Sequence, residues 1–236
     1  MSRDPGRALL LIGDIGGYTR FMRLHRLSLA HAQEIIGRLL RVLAEAAGEV
    51  ELVEFEGDAA FFYASGAHAS DRALAEMAAR EAIAMHRAFH TERQRMDALN
   101  MCNCDACRQI GDLRVKFVVH SGEVAVQTIK GKTNVFGADA ITVHQMLKNS
   151  VPVPEYLLMS PPVFSDASPA LRGRSNAIEQ ELEGLGTVEV HFVDMGELAS
   201  ELPPPPEAPR GKRVAMTLGV IVRGMPRLLR GTSKGD

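Results

Sequence analysis

Two apolar runs on either side of a short turn constrain the fold of this chain more than any other feature. The runs are Val50–Phe55 and Ala59–Tyr63, and Gly57-Asp58 lies in the turn between them. This pattern is typical of two strands joined in a hairpin. A third apolar run, Ala8–Ile12, predicts another strand, and it ends in a glycine-rich turn that contains Asp14.

Two aspartates at strand ends and turns can converge on one divalent cation. Mg²⁺ is commonly held by one or two carboxylates together with the phosphates of a substrate. Asp14 and Asp58 are therefore candidate ligands for Mg²⁺ or Mn²⁺. A purely structural interpretation stays open at this point, in which Asp14 caps the following helix and Asp58 stabilises its own turn.

Helical and strand-like patterns alternate along the rest of the domain. Apolar residues recur at helical spacing from Leu29 to Leu43, with Ser28 as the expected N-cap. A second long helix is predicted from Asp71 to about Leu99. The shorter elements are helices at Tyr18–His25 and Asp139–Lys148, a hairpin of strands Leu113–His120 and Val124–Ile129 that turns at Ser121-Gly122-Glu123, and strands at Tyr156–Met159, Asn176–Leu182 and Thr187–Val193. This order predicts an α+β fold, with a largely antiparallel sheet and helices on one face.

Composition narrows the classes of function. The 236 residues fit one sizeable domain, over about 1–200, with an appendage. The net charge of −2 gives no electrostatic basis for binding nucleic acid, so no nucleic-acid partner is expected. No apolar stretch reaches the ~20 residues that cross a bilayer, and the N-terminal apolar run is too short for a signal peptide. We therefore expect a cytoplasmic protein.

All three cysteines of the chain lie within six residues, in an insertion near 100–110. They are Cys102, Cys104 and Cys107, and they follow a predicted helix. Three thiolates and one histidine would form a tetrahedral Zn²⁺ site, and His90, twelve residues before the first cysteine, is the candidate fourth ligand. Three alternatives stay open: a thiol–disulfide switch between Cys104 and Cys107, a metal cluster shared across a dimer, and three free thiols.

The C-terminal segment differs in composition from the domain. Proline-rich residues 201–209 predict a stiff linker, and residues 210–236 carry seven Lys or Arg interleaved with bulky aliphatic residues. A basic amphipathic tail of this kind predicts reversible binding to an anionic membrane surface, at the inner face of the membrane. The alternative is that the tail packs on its own domain or on a second copy of the chain.

Four segments, in this order, resemble the class III adenylate/guanylate cyclase homology domain. They are Gly13–Thr19, Glu56–Ala59, Val118–Val124 and Val135–Met146, and the chain is similar to a divergent bacterial branch of that superfamily. The resemblance implies a ferredoxin-like cyclase-homology fold and a homodimer with purine-nucleotide sites between the two domains. It also implies that Asp14 and Asp58 bind divalent cations, with the main-chain carbonyl of Ile15 as a further ligand.

The chain departs from the family at the positions that complete the chemistry. Glu54 stands where the family has a base-reading lysine, and Asn134 stands at the second base-reading position. Three further replacements concern the ribose-orienting asparagine, the charge-stabilising arginine and the phosphate-binding lysine, which fall on Ile141, Gln145 and Leu185. A preorganised cation can be worth ~10³–10⁵ in the rate of phosphoryl transfer, and one hydrogen-bond donor ~10²–10³.

These replacements predict a degenerate cyclase-like domain that acts as a regulatory or binding module, for a nucleotide–metal complex. Two alternatives stay open. In the first, the protein is an atypical active cyclase or another phosphoryl-transfer enzyme, in which Lys130, Lys132 or Lys148 replaces a missing cation. In the second, it is a peripheral membrane or scaffold protein in which the tail is the functional part.

Overall fold

A central sheet of eight strands organises the part of the chain that the computed structural model describes, residues 5–17, 26–100, 102 and 104–202. The strands are β1 Gly6–Gly16, β2 Glu51–Glu56, β3 Ala59–Ser65, β4 Arg114–Ile129, β5 Lys132–Phe136, β6 Tyr156–Met159, β7 Asn176–Leu182 and β8 Gly186–Asp194. The helices are α1 Arg26–Ala46, α2 Asp71–Leu99, α3 Asp105–Arg108, α4 Ala138–Gln145, α5 Pro161–Asp166 and α6 Pro169–Gly173.

The strands are arranged in the order β2-β3-β1-β4-β6-β8-β7, and β5 pairs with β4 outside this path. Every neighbouring pair is antiparallel except β4 and β6, which run parallel. The predicted α+β class and the largely antiparallel sheet are therefore confirmed. Two 3₁₀ turns, Ile110–Asp112 and Gly196–Glu201, complete the regular structure of the residues described.

Strand β1 lies in the middle of the sheet and is buried on both faces. Leu9 and Leu11 belong to the core beneath α1 and α2, whereas Leu10 and Ile12 belong to a second core on the opposite face. This division follows from the alternation of side chains along a strand. The two long helices cover one face, as predicted, but the shorter α4 packs on the opposite face through Val143, so the prediction that all helices lie on one face is wrong for α4.

Strand β4 differs from its prediction as a hairpin. The structure has one strand, Arg114–Ile129, because β1 pairs with it continuously through the expected turn, with Gly122 opposite Ala8. The chain reverses later, at Lys130-Gly131, where both residues have positive φ, 51° and 77°. Gly122 is required for a different reason: a Cβ atom there would lie 2.2 Å from Cγ of Asp139.

The helix boundaries are close to those predicted. Ser70 caps α2, since its hydroxyl accepts a hydrogen bond from the Ala73 amide at 3.2 Å. Helix α1 begins at Arg26, so Ser28 lies inside the helix rather than at its cap. The predicted helix at 18–25 lies outside the described residues, as does the linker and tail from 203 onwards.

Within the described residues, no helix is both long enough and apolar enough to span a membrane.

Candidate functional site

The two aspartates predicted as metal ligands are brought together at one end of β1. Asp14 pairs with Ala59 of β3, and Asp58 is the neighbouring residue in the β2–β3 turn. The turn is held against β1 by a hydrogen bond from the Ile15 amide to the Asp58 carbonyl at 3.0 Å. Burial and the adjacent Asp14 carboxylate raise the pKa of Asp58. A cation near both carboxylates would offset this unfavourable environment.

A lysine that sequence reasoning missed completes this end of the sheet. Lys116 lies opposite Asp14 in the β1–β4 ladder, and its Nζ is 3.0 Å from Asp14 Oδ2. Burial disfavours the ammonium form, but Asp14, Tyr156 and Asp58 together outweigh it and raise the pKa of Lys116. An isolated lysine within the apolar run of β4 was the available signal, because such a charge requires a partner.

The remaining predicted nucleotide-site residues lie on elements around this pair. Glu54 is exposed on β2 and pairs with Phe61. Asn134 is half-buried on β5, and its side-chain amide donates to the Lys132 carbonyl at 3.0 Å. Ile141, on α4, is 60% exposed. None of these three side chains provides a cation next to Asp14 and Asp58.

Two histidines, His120 and His144, form hydrogen bonds that connect α4 to the neighbouring strands β4 and β2. His120 Nε2 is 2.9 Å from Asp139 Oδ1, and the other oxygen of that carboxylate accepts from the Glu123 amide at 2.7 Å. His144 Nε2 is 3.1 Å from Glu56 Oε1, next to the β2–β3 turn. Both histidines therefore act as packing and hydrogen-bonding residues.

A second group of metal-ligating side chains lies on the opposite face of the sheet. The three cysteines surround His31 of α1, whose Nδ1 is 3.6 Å from the sulfur of Cys102, 3.4 Å from that of Cys104 and 3.7 Å from that of Cys107. All four ligand atoms lie within 4.8 Å of one another. Burial and the adjacent Cys104 raise the pKa of Cys107, and burial lowers the pKa of His31.

The fourth member of this group is His31 and not His90, which was the candidate from the sequence. His31 precedes Cys102 by 71 residues, so no local spacing relates them. Only the packing of α1 against the segment that follows α2 brings them together.

His90 belongs to a different, fully buried group. Its Nε2 is 2.6 Å from Oε1 of Glu155, the residue before β6. The same oxygen accepts from the Val115 amide at 3.2 Å, and Arg114 Nε is 3.9 Å from the other oxygen. His86, one helical turn before His90, has its Nε2 3.7 Å from Oε1. Both oxygens of the buried Glu155 carboxylate therefore lie next to polar protein groups: Oε1 accepts from His90 and Val115, and Oε2 lies near the Arg114 guanidinium.

Comparison with known proteins places this arrangement in a family and a fold. The family model described as "Protein of unknown function (DUF2652)" matches residues 36–156. The uncharacterized protein Rv2561/Rv2562 of Mycobacterium tuberculosis is 36% identical over 169 residues, which cover 72% of this chain and 76% of the relative. A bacterial relative at this identity agrees with the divergent bacterial branch inferred from the sequence.

Solved structures show the fold. The adenylyl cyclase CyaB from P. aeruginosa is similar over 82% of this chain and 95% of its own, with a TM-score of 0.62 and 15% sequence identity. A class III adenylyl cyclase-like ATP-binding protein from Pseudomonas aeruginosa is similar over 73% of this chain and 37% of its own, with a TM-score of 0.54 and 22% identity. The predicted cyclase-homology fold is therefore confirmed.

Proposed function

Because this chain belongs to the family described as "Protein of unknown function (DUF2652)" and has the class III nucleotidyl cyclase fold, we propose that it is a nucleotide-binding module without cyclase activity. Its ligand is a purine nucleotide in complex with Mg²⁺ or Mn²⁺. The observation that carries the proposal is the convergence of Asp14 and Asp58 at the end of β1, among residues that lack the cations of the cyclase reaction.

The donor set suits a divalent cation. Asp14 and Asp58 supply carboxylate oxygens, and the main-chain carbonyl of Ile15 is the third candidate ligand. Hard oxygen ligands of this kind are those that Mg²⁺ and Mn²⁺ prefer. Lys116 neutralises one carboxylate at 3.0 Å, so the net negative charge of the pair favours one cation rather than two. The bound cation would supply positive charge for the phosphates of the nucleotide.

The absence of cyclisation follows from the replaced positions. Ribose orientation would depend on Ile141, which has no hydrogen-bonding group, and charge stabilisation would depend on Gln145, which has no charge. Glu54, at the first base-reading position, introduces a negative charge where a lysine is expected. Phosphoryl transfer depends on positioning and on charge stabilisation, so losses of ~10²–10⁵ at several positions leave negligible turnover.

A homodimer is the second part of the proposal. Large apolar side chains are exposed on β2, the β4–β5 hairpin and α4. The members are Leu52, Phe55, Ile129, Phe136 and Ile141. A second copy of the chain, which the resemblance to class III cyclases implies, would bury this surface and complete the nucleotide site.

Calorimetric titration of the full chain with ATP and GTP, each with Mg²⁺ or Mn²⁺, tests the function. We expect metal-dependent binding of at least one nucleotide and no cyclic product. Asp58→Asn should weaken this binding at least about tenfold, since one of two carboxylate ligands is lost. The matched control is Asp166→Asn, on α5 at the opposite face of the sheet, which should bind like the wild type.

Binding that persists unchanged in Asp58→Asn, or no nucleotide binding at all, would contradict the proposal. Formation of cyclic AMP or cyclic GMP that stops in Asp14→Asn would instead support an atypical active cyclase.

A further inference from the structure

The geometry points to a tetrahedral Zn²⁺ centre that joins α1 to the loop after α2. We propose that its four ligands are His31 Nδ1 and the sulfurs of Cys102, Cys104 and Cys107. This site is independent of the nucleotide site, and it lies on the other face of the sheet.

The distances between the ligand atoms match those that a zinc ion requires. Structural Zn²⁺ sites have bonds of about 2.3 Å to sulfur and about 2.0 Å to nitrogen, so a regular tetrahedron has nitrogen–sulfur edges of about 3.5 Å. The three nitrogen–sulfur distances from His31 are 3.4, 3.6 and 3.7 Å. One imidazole nitrogen therefore lies at nearly equal distance from three sulfurs, at the spacing of a shared metal ion.

Neither a hydrogen bond nor a disulfide explains this arrangement as well. A single ring nitrogen directs at most one hydrogen bond along one direction, and it cannot serve three sulfurs equally. A disulfide between two of the cysteines would not explain why the third thiol and the imidazole lie at the same place. Three thiolates and one imidazole form the donor set of closed structural zinc sites.

The loop is held in its ligand-presenting shape by Asn100, the C-cap of α2. Its side-chain oxygen accepts from the Cys102 amide at 2.9 Å, and its amide donates to the carbonyls of Cys102 at 3.0 Å and Cys107 at 3.4 Å. The short α3 then separates Cys104 from Cys107 by one helical turn, with the Arg108 amide bonded to the Cys104 carbonyl at 3.1 Å. These hydrogen bonds fix the main chain that carries Cys102 and Cys107.

The centre would connect parts of the chain that are 71 residues apart. Cys107 is buried, and Cys102 and Cys104 pack against the core beneath α1 and α2. Metal binding at such a site contributes directly to folding, because the unfolded chain does not preform it. The ion would therefore fix the position of α1 against the end of α2.

The test uses the full chain, purified without chelator and analysed for bound metal by mass spectrometry. We expect one zinc ion per chain. His31→Ala should lower the affinity for Zn²⁺ about 100-fold or more, which exceeds the loss on removing an outer-shell partner. The matched control is His68→Ala, an exposed histidine that should leave affinity unchanged.

Two further measurements keep the proposal falsifiable if His31→Ala folds poorly. His31→Cys should restore stoichiometric zinc, since four thiolates also form a tetrahedral site. Replacement by Co²⁺ should give the visible absorption of tetrahedral cobalt with thiolate ligands, changed in His31→Cys. Metal-free protein with three freely reacting thiols, an intramolecular disulfide, or full zinc affinity in His31→Ala would overturn the assignment.

Discussion

Replacing Glu155 with alanine should destabilise the domain more than most single substitutions. The side chain is 5% exposed, and its Oε1 accepts from His90 Nε2 at 2.6 Å and from the Val115 amide at 3.2 Å. Alanine would leave both donors in the interior without this acceptor. Leaving a buried donor without its acceptor costs about 1–3 kcal/mol, so with two such donors we expect Glu155→Ala to cost about 3–5 kcal/mol.

Glu155→Gln separates the role of the charge from that of shape. Its amide oxygen can still accept a hydrogen bond from the Val115 amide, so the expected loss is smaller, about 1–2 kcal/mol. Glu179→Ala, at an exposed position on β7, is the matched control and should change stability by about 0.5 kcal/mol or less.

Urea unfolding followed by circular dichroism gives the free energy of unfolding for each variant. For a domain of this size each 1 kcal/mol corresponds to about 2–4 °C in Tm, so Glu155→Ala should melt about 6–20 °C below the wild type. A loss below about 1 kcal/mol for the alanine variant would refute the assignment of Glu155 as the central acceptor of this group.

The pH dependence of stability provides a second check on the same group. Burial opposes ionisation of Glu155, but the nearby His86 and the hydrogen bond from His90 outweigh it and lower its pKa to about 2, from 4.5. Burial also lowers the pKa of His90 below 6.5. In each case the unfolded chain binds the proton first as pH falls, so stability falls below pH 6.5 through His90 and again between pH 4.5 and 2 through Glu155.

Glu155→Gln should remove the lower of these two steps. A Tm of the wild type that stays constant from pH 7 to pH 4 would contradict this account.

Three further perturbations test other parts of the structure. Lys116→Met removes the ammonium 3.0 Å from Asp14, which competes with a cation for that carboxylate, and should tighten Mn²⁺ binding about tenfold. Titration calorimetry measures this with Lys148→Met as the control, and weaker binding would show that Lys116 does not compete with the cation. Gly122→Ala should cost about 1–3 kcal/mol in urea unfolding, because its Cβ would overlap the Asp139 side chain, and an unchanged midpoint would refute this. Phe136→Glu, at a side chain that is 46% exposed, should shift the proposed homodimer to monomer in light scattering without lowering Tm, whereas a variant that is still dimeric would place the interface elsewhere.

The parts of the fold that were predictable from sequence depend on local pattern. Strand β1, the β2–β3 hairpin and the start of α2 each follow from residues close in the chain, and so does the position of Asp14 and of Asp58 at the end of a strand. Their adjacency, by contrast, comes from the pairing of β1 with β3. Strand β4 was not predictable in this way, because Ser121-Gly122-Glu123 has the composition that is typical of a turn. Its role depends on Asp139, which approaches from another element.

The candidate metal ligands also differ in whether local sequence or tertiary packing determines their position. The three cysteines were candidate metal ligands from their spacing, whereas His31 was not, because its position depends on how α1 packs against a loop 71 residues away. His90 was the natural candidate by distance along the chain, yet the helical face that carries it points to Glu155. Tertiary packing, and not spacing, decides which histidine reaches the thiols.

The alternation of side chains along β1 and β4 places the carboxylate pair and the cysteine–histidine group on opposite faces of the sheet. Asp14 and Lys116 lie on the face that carries α4, in phase with Leu10 and Ile12. The cysteine group packs into the core on the opposite face, beneath α1 and α2, and Glu155 meets His90 of α2. Since groups that share no partners contribute additively, loss of zinc or of Glu155 should lower stability and leave the intrinsic affinity for a nucleotide–metal complex unchanged. The double variant Cys104→Ser with Asp58→Asn should therefore show the loss of stability of Cys104→Ser and the loss of nucleotide binding of Asp58→Asn. If either loss differs strongly from that of the single variant, the sheet transmits strain between its faces.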